Sequence, residues 1–299
     1  MSVPAAYLGV ILIWSTTPLA VKWSGDGPGF LFGATGRMLI GAMLCALIAW
    51  MSRIRIPWHR QALHAYAAAA VGIYGAMACV YFGAQFIPSG LVSVMFGLSP
   101  IMVGAMAAGW LGEKSFTPVR MAGSLIGISG LALIFGGNQH LGTQAGVGLL
   151  AVLASVFLHS ASAVWVKRAG DGMNALALTT GGLLVSLPCY FATWLVIDPH
   201  WPTAIPLRAL GSIVYLGILG SGVGFVLYYF VLRRIEAGRA ALIPLITPVM
   251  ALMIGHWLNG EVVGARALTG AGLILSGLLF YELGEKMIGL TGRSQRQET

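Results

Sequence analysis

Long apolar stretches follow one another along almost the whole chain, and only short polar segments separate them. Each stretch is roughly 20 residues long, which is the length a helix needs to cross about 30 Å of hydrocarbon. Barrel strands would instead alternate over about ten residues. The pattern predicts an all-α integral membrane protein with ten transmembrane helices, over residues 4–23, 29–51, 65–86, 89–110, 119–137, 145–167, 174–197, 208–232, 239–258 and 265–287.

The composition supports the bilayer as the main solvent of this chain. Hydrophobic residues make up 58% and charged residues only 9%, and the mean hydropathy is +0.85. Soluble globular proteins carry about 25% charged residues. So few charges cannot cover a water-exposed surface, and this excludes most classes of soluble enzyme. No Lys or Arg precedes Lys22, so we expect the first stretch to remain as helix 1 rather than be cleaved as a secretory leader.

The basic residues are distributed unevenly between the two sets of connecting segments. If the ten helices cross the membrane in chain order, only three basic residues lie in the connections on one side, namely Lys22, Arg208 and Arg266. Cytoplasmic loops are enriched in Lys and Arg. This predicts a multi-pass protein of the inner membrane with both termini in the cytoplasm, and it assigns the net charge of +8 to topology rather than to nucleic-acid binding. The opposite side, with both termini, holds Arg53, Arg55, Arg60, Lys114, Arg120, Lys167, Arg168, Arg233, Arg234, Arg239, Lys286, Arg293 and Arg296.

An internal repeat divides the chain into two halves. A shift of 148 residues places Tyr81-Phe82 on Tyr229-Phe230, Ser99-Pro100 on Thr247-Pro248 and Glu113 on Glu261. A shift of 145 places Trp14-Ser15 on His159-Ser160 and Lys22 on Lys167. We therefore expect a first repeat at 1–140, a second at 141–290 and a cytoplasmic tail at 291–299. Because five helices per repeat is an odd number, the second copy enters the membrane from the opposite side, as in many secondary transporters.

These motifs together resemble the tandem EamA-type domains of the drug/metabolite transporter superfamily. The resemblance spans nearly the whole chain and implies a ten-helix bundle that exports small metabolites, with YddG-type amino-acid exporters the most similar kind. The second half departs from the first, since Gly182 falls where Arg37 would be expected and His159 replaces Trp14. The motifs that carry the resemblance are Ile13-Trp14-Ser15 with Lys22, Gly36-Arg37-Met38-Leu39, Pro100 with Gly112-Glu113 and Gly123, and Pro248 with Gly260-Glu261 and Gly270.

Polar and aromatic residues recur at helical spacing on single faces of several predicted helices. Such a face at mid-depth would leave its polar groups without partners if it were turned to lipid. It points either to a central cavity or to core packing in which the hydroxyls are satisfied. The cavity interpretation gives these candidate substrate-binding residues: Trp14, Thr17, Arg37, Tyr74, Met77, Tyr81, Ser99, His159, Ser162 and Tyr228.

Arg37 is the residue whose placement inside the predicted membrane costs the most free energy. An arginine at the centre of a transmembrane helix costs at least about 2.5–3.5 kcal/mol on insertion scales. Glycines at positions 29, 33 and 41 share its face at steps of four, and small residues at this spacing favour close helix contact. Arg37 is therefore expected to point into protein. There it either reaches outward or caps the free carbonyls of a broken helix, or it binds a substrate carboxylate or sets the potential of the cavity.

Prolines and glycines at matching depths of the two halves are candidate hinges. Pro100 and Pro248 correspond under the repeat, Pro18 interrupts the hydrogen bonding of helix 1, and Gly220 and Gly222 lie in a glycine-rich part of helix 8. For the glycines, tight helix packing is the alternative interpretation.

The nine carboxylates all lie at helix ends, in loops or in the tail. Proton-driven pumps commonly place one at mid-membrane, so the sequence favours facilitated or exchange transport, with His159 as the only plausible proton carrier. No metal site, cofactor or enzymatic activity is expected, and the expected partners are a small-molecule substrate and the bilayer, with the protein as a monomer. The alternatives are a drug or lipid exporter on the same scaffold, or an integral membrane lipid-modifying enzyme.

Overall fold

The computed structural model describes residues 2–87, 89–114, 117–135, 143–170, 172–259 and 264–295, and within these ranges the regular structure is entirely helical. Glu261 and the end of the tail lie outside these ranges. The helices in chain order are α1 Val3–Ser24, α2 Phe30–Met51, α3 Arg60–Gly83, α4 Ser89–Phe96, α5 Ser99–Leu111, α6 Pro118–Phe135, α7 Ala145–Ala169, α8 Ala175–Ile197, α9 Leu207–Leu232, α10 Ala237–Ala240, α11 Ile243–Asn259 and α12 Ala265–Gln295.

Seven helical stretches among the described residues are long and apolar enough to cross a membrane. Three shorter apolar stretches, Val3–Thr17, Pro118–Ile134 and Ala237–Met250, overlap the remaining segments that the hydrophobic pattern predicted. The prediction of an all-helical membrane protein is therefore confirmed, whereas the count of ten spans stays a prediction.

Large apolar side chains cover much of the outer surface of the bundle. Leu150 is 70% exposed and Val196 is 82% exposed, and Phe157 is also exposed. Such side chains need no burial in protein when lipid tails surround them. Buried hydroxyl groups inside the bundle mostly donate to a carbonyl one turn earlier, as Ser160 does to Val156 at 2.8 Å, so few polar groups remain unsatisfied at membrane depth.

Two π-helical segments interrupt the long helices α3 and α9. They cover Val71–Ala76 and Leu216–Val223, and the repeat shift of 148 residues places the first over 219–224, so they occupy matching places in the two halves. Carbonyl groups of the first segment accept bonds from neighbouring helices: Tyr190 Oη donates to Ile73 at 2.7 Å and Ser155 Oγ to Ala76 at 2.6 Å. Wider helical turns of this kind are often found at functional sites.

The matching prolines of the two halves lie in different local structure. Pro100 is in the first turn of α5, after a break in which α4 ends at Phe96, and a proline there leaves no helical bond unmade. Pro248 lies inside the continuous helix α11, where the hydroxyl of Thr247 donates to the carbonyl of Pro244 at 3.2 Å. In a regular helix this carbonyl would accept from the backbone N–H of residue 248, which a proline lacks. Pro18 lies within α1, which is helical throughout.

The first turns of α1 and the middle of α12 reach the same end of the bundle. Tyr7, near the start of α1, donates to the carbonyl of Arg239 at 3.1 Å, and the guanidinium of Arg239 lies 3.3 Å from the carboxylate of Glu282 in α12. Lys167 is at this end too, and we call it the Lys167 end. The opposite end, where Lys22 closes α1, is the Lys22 end. Helices α1 and α7, which correspond under the repeat, therefore run in opposite directions.

Helices α6 and α12 approach each other until their backbones touch. A Cβ atom added at Gly123 would lie 2.7 Å from the carbonyl oxygen of Gly277, and one added at Gly277 would lie 2.5 Å from that of Gly123. One at Gly130 would lie 2.5 Å from the carbonyl oxygen of Gly270. Helices in lipid associate through close packing of small residues, so this glycine seam fixes the two helices together.

Replacement of one seam glycine should destabilise the protein. Gly277→Ala places a methyl group against the backbone of α6, and we expect a loss of about 1–3 kcal/mol, typical of overpacking, seen as a lower Tm in detergent. Gly272→Ala in the same helix is the control, because nothing lies within 4 Å of its added Cβ. Equal effects of the two substitutions would contradict the seam.

Candidate functional site

A cavity of about 120 Å³ lies between α1, α2, α3, α4, α7, α9 and α11. A water molecule needs roughly 10–15 Å³ on this measure, so the space is large enough for several waters or a small solute. Its wall is mostly apolar, with six polar side chains: Thr17, Lys22, Arg37, Ser93, His159 and Thr247. The remaining lining residues are Trp14, Val21, Met77, Val80, Ala84, Val92, Phe96, Phe225 and Pro244.

The cavity opens toward the Lys22 end. Along α1 its wall runs from Trp14 to Lys22, and along α3 from Met77 to Ala84. Both helices approach the Lys22 end in this direction, and the side chain of Lys22 is exposed. On α7 the only lining residue is His159. The cavity therefore occupies the half of the bundle between its middle and the Lys22 end.

Aromatic rings form the inner end of the cavity, which we call the cavity floor (Trp14, Phe96, His159 and Phe225). The ring of Trp14 lies 6.2 Å from that of His159 and 6.4 Å from that of Phe225, in edge-to-face orientations. Phe96 contacts His159 from the other side at 6.0 Å. Behind them Tyr228 packs on Trp14 at 5.0 Å, and its hydroxyl lies 3.5 Å from His159 Nε2. Rings in these orientations attract each other beyond their burial, which makes the floor well ordered.

The guanidinium of Arg37 lines the cavity, although the residue as a whole is only 2% exposed. Its Nε donates to Ser221 Oγ at 2.8 Å and its Nη1 to Tyr81 Oη at 3.3 Å. Both partners are neutral, and within the described residues no carboxylate forms an ion pair with Arg37. Hydroxyl groups orient the guanidinium without cancelling its charge, so a positive charge lies at the cavity wall.

The backbone of α9 determines where this arginine lies. Ser221 belongs to the π-helical segment Leu216–Val223. A Cβ at Gly220 would lie 3.0 Å from Arg37 Nη2, and one at Gly41 would lie 2.8 Å from the Cβ of Ser221. The absence of side chains at these two glycines therefore lets α2 and α9 come close enough for the serine to reach the guanidinium.

Five of the ten predicted substrate-binding residues line the cavity, namely Trp14, Thr17, Arg37, Met77 and His159. Two others, Tyr81 and Tyr228, contact lining residues from behind. The remaining three are not among the lining residues. Tyr74 Oη hydrogen-bonds to Thr193 at 2.6 Å, Ser162 donates to the carbonyl of Ala68 at 2.7 Å, and Ser99 is buried.

Sequence reasoning missed several residues of the cavity wall. Thr247 lines the cavity, although its repeat counterpart Ser99, a predicted site residue, does not. The correspondence with Ser99 could have identified Thr247 as a candidate. Phe225 precedes Tyr228 by three residues on the same helix face, which could have identified it. Lys22 was assigned only to a helix end. For Phe96 and Val92 the sequence carried no comparable signal, because the break after α4 determines their direction.

The described residues contain no group of three His, Cys, Asp or Glu side chains that could hold a metal ion. The three cysteines are free: Cys45 is buried, Cys79 is partly buried and Cys189 is exposed. What the geometry defines is a multi-pass membrane protein with a one-sided internal cavity, apolar walls and a buried cation.

Comparisons with known proteins identify its class. The model of the EamA-like transporter family matches residues 3–136 and 146–282. The chain therefore belongs to this family, within the drug/metabolite transporter superfamily, and it contains two EamA-like repeats. The predicted resemblance is confirmed, and the protein is a membrane transporter of this family.

Individual relatives share between a fifth and a third of their residues with this chain. A probable terminal-alkyne amino-acid exporter of Streptantibioticus cattleyicolor is 28% identical over 272 residues, which cover 90% of this chain and 89% of that protein. The uncharacterized transporter YoaV of Bacillus subtilis is 29% identical over 279 residues, covering 91% and 93%. A probable amino-acid metabolite efflux pump of Escherichia coli is 23% identical over 205 residues, covering 66% and 68%.

A solved crystal structure shares the fold. It superimposes with a TM-score of 0.78 at 20% identity and covers 96% of this chain and 98% of that one. The relatives are named as transporters, which agrees with the expectation that the protein is not an enzyme.

Removal of the serine that orients Arg37 should destabilise the protein. Ser221→Ala takes away the acceptor of a buried charged donor, and we expect a loss of about 1.5–3 kcal/mol, measured as a lower Tm in detergent. Ser276→Ala is the matched control, because that exposed hydroxyl bonds only to the preceding turn of its own helix. An unchanged Tm for Ser221→Ala would contradict the structural role of this contact.

Proposed function

We propose that this EamA-family transporter is a secondary transporter that exports small metabolites, above all amino acids including aromatic ones, by alternating access around the cavity. The observation that carries the proposal is the buried guanidinium of Arg37 at the cavity wall, which has neutral partners only among the described residues. A carboxylate is the common group of amino acids and the natural partner of a guanidinium. No covalent chemistry is required.

The arrangement of the wall supports an amino acid as the substrate. Arg37 supplies the partner of the carboxylate, and the cavity floor offers aromatic rings to an apolar or aromatic side chain. Specific sites of this kind combine apolar walls with a few polar groups that fix orientation. The relatives from Streptantibioticus cattleyicolor and Escherichia coli are named a probable terminal-alkyne amino-acid exporter and a probable amino-acid metabolite efflux pump, which agrees with this assignment.

The charge of the cavity disfavours cationic drugs as substrates. Arg37 and Lys22 both line it, and no carboxylate is among its lining residues in the described part of the chain. Like charges at close range in a medium of low dielectric repel strongly. Zwitterions and anions are therefore better suited to this space than cations.

The proposed architecture is ten transmembrane helices in an inverted 5+5 arrangement, with repeats at 1–140 and 141–290. The opposite directions of α1 and α7 support it, as does the position of Tyr7 and Glu282 at one end of the bundle. With the Lys167 end in the cytoplasm of an inner-membrane protein, the basic connections obey the positive-inside rule. The cavity then faces outward, and export requires a second state that opens to the cytoplasm.

Counterflow in proteoliposomes tests the substrate class. Proteoliposomes preloaded with unlabelled phenylalanine should accumulate labelled phenylalanine from the outside. Phenethylamine, which lacks the carboxylate, should not compete with this uptake. Arg37→Met should reduce uptake at low substrate concentration by about tenfold or more, since one hydrogen bond to a charged group contributes about 1.5–3 kcal/mol.

Arg37→Lys is the control in this experiment, because it keeps the charge and should retain more transport than Arg37→Met. Equal competition by phenylalanine and phenethylamine in the unaltered protein would refute a carboxylate site. That measurement does not depend on whether the Arg37 variants fold.

The cavity floor should determine the preference for aromatic side chains. Phe225→Ala removes one ring of the floor, and we expect phenylalanine to lose about three- to tenfold in apparent affinity relative to alanine, as aromatic pairs contribute about 0.5–1.5 kcal/mol. Phe157→Ala changes a ring that is 53% exposed on the outer surface of α7, so the ratio should not change. Competition against labelled substrate measures both variants, and a parallel loss for the two amino acids would argue against the floor as the side-chain site.

A further inference from the structure

A cluster of polar groups connects three elements at the Lys167 end, beyond the closed side of the cavity. Lys167 Nζ at the end of α7 lies 2.7 Å from Glu113 Oε1, which follows α5. The backbone N–H of Ala237, at the start of α10, donates to Glu113 Oε2 at 2.9 Å. Lys167 also donates to the carbonyl of Ile235. The two side chains are only 20% and 14% exposed, so solvent and salt screen the attraction between them less than that of a surface pair.

A specific backbone turn directs Glu113 into this cluster. Gly112 has φ +67° in the left-handed region, and its N–H and that of Glu113 both donate to the carbonyl of Ala107. Only glycine adopts this conformation without strain. The turn ends α5 and points the carboxylate back across the bundle toward the second half of the chain.

The cluster lies on the direct path from the cavity to the Lys167 end. His159, Ala163 and Lys167 follow one another on α7 at steps of four residues and therefore share one face. His159 belongs to the cavity floor, Ala163 is buried at 3% exposure, and Lys167 is in the ion pair. A route from the cavity to this end along the face of α7 is closed first by the floor and then by the cluster.

The lysine that corresponds to Lys167 under the repeat lies at the opposite end of the bundle. The shift of 145 residues that matches Trp14 to His159 also matches Lys22 to Lys167. Lys22 is exposed at the open mouth of the cavity and has no ion pair within the part of the chain that the structure describes. Lys22 is thus exposed at one end of the bundle, whereas its counterpart Lys167 is held by a carboxylate at the other.

We propose that Glu113 and Lys167, with the N–H of Ala237, form a latch that keeps the cytoplasmic end closed and must break when the cavity opens inward. The proposal rests on alternating access and on the orientation in the proposed function, and it adds the residues that control the change. Breaking the pair is feasible during opening, because the same movement admits water to both charges. The latch biases two states, so its removal shifts the population toward the inward-open state.

Thiol accessibility without substrate tests the latch. In a background without Cys45, Cys79 and Cys189, the variant Ala163→Cys reports the path beyond the floor, and a membrane-impermeant maleimide is added to inside-out vesicles. Lys167→Met, which keeps the apolar stem, should raise the labelling rate about tenfold. A second reporter, Ala84→Cys in the cavity wall, should label more slowly from the other side of the membrane.

Three further variants test whether the result is specific to the pair. Glu113→Gln retains an acceptor for Ala237 but not the charge, so it should match Lys167→Met, and the double variant should exceed neither, as for two partners of one interaction. Glu282→Gln is the control, because its ion pair with Arg239 joins α12 to α10 without involving α5 or α7. It should leave both labelling rates unchanged.

The outcomes separate this proposal from the proposed function. Unchanged labelling of Ala163→Cys in the Lys167→Met protein would overturn the latch even if phenylalanine is transported. Opposite changes at the two reporters would support it even if no amino acid is carried. Faster labelling at both reporters would also overturn it, since the pair would then maintain the fold rather than the closed end.

Discussion

The burial of one permanent charge at the depth of the hydrocarbon is the constraint on which the centre of this protein depends. The guanidinium of Arg37 would cost at least about 2.5–3.5 kcal/mol on insertion scales if it were unsupported. It is stabilised by hydroxyls of Ser221 and Tyr81 and by its place at the wall of a cavity. The serine reaches it only because α9 widens into a π-helical turn and because Gly41 lets α2 approach. The π-helical turn, Gly41 and the two hydroxyl groups thus act together to accommodate this charge.

Features set by the bilayer could be predicted from the sequence, because lipid imposes strong and simple rules. Apolar length predicts helices, and the segregation of Lys167 and Arg239 from Lys22 agrees with the ends at which the structure places them. Trp14 and His159 correspond under the repeat and were both predicted to face a cavity; both line it, and their rings are 6.2 Å apart. Arg37 was expected to point into protein because of its cost and its glycine-lined face, and its side chain is buried.

Features set by local departures from regular helix could not be predicted. A period of 3.6 residues placed Tyr74 and Tyr81 on one face, but Tyr74 lies within the π-helical segment Val71–Ala76, which changes the register between them. Tyr74 pairs with Thr193, whereas Tyr81 contacts Arg37. Ser99 and Thr247 correspond in sequence, yet the helix breaks before Ser99 and stays continuous through Thr247, so only the threonine lines the cavity. Small differences between two similar halves decide these contacts, and no single-sequence pattern records them.

The contacts in the glycine seam between α6 and α12 are symmetric under the internal repeat. A shift of 147 residues carries Gly123 to Gly270 and Gly130 to Gly277, and the pairs in contact are Gly123 with Gly277 and Gly130 with Gly270. Gly123 thus contacts the repeat counterpart of Gly130, and Gly130 contacts the repeat counterpart of Gly123. This is the reciprocal pattern of an isologous dimer. Because the two helices run antiparallel, the axis relating them lies in the plane of the bilayer. Two separate copies of one repeat can make the same reciprocal contact when they are inserted in opposite orientations, so the seam itself does not require the covalent link between the two halves.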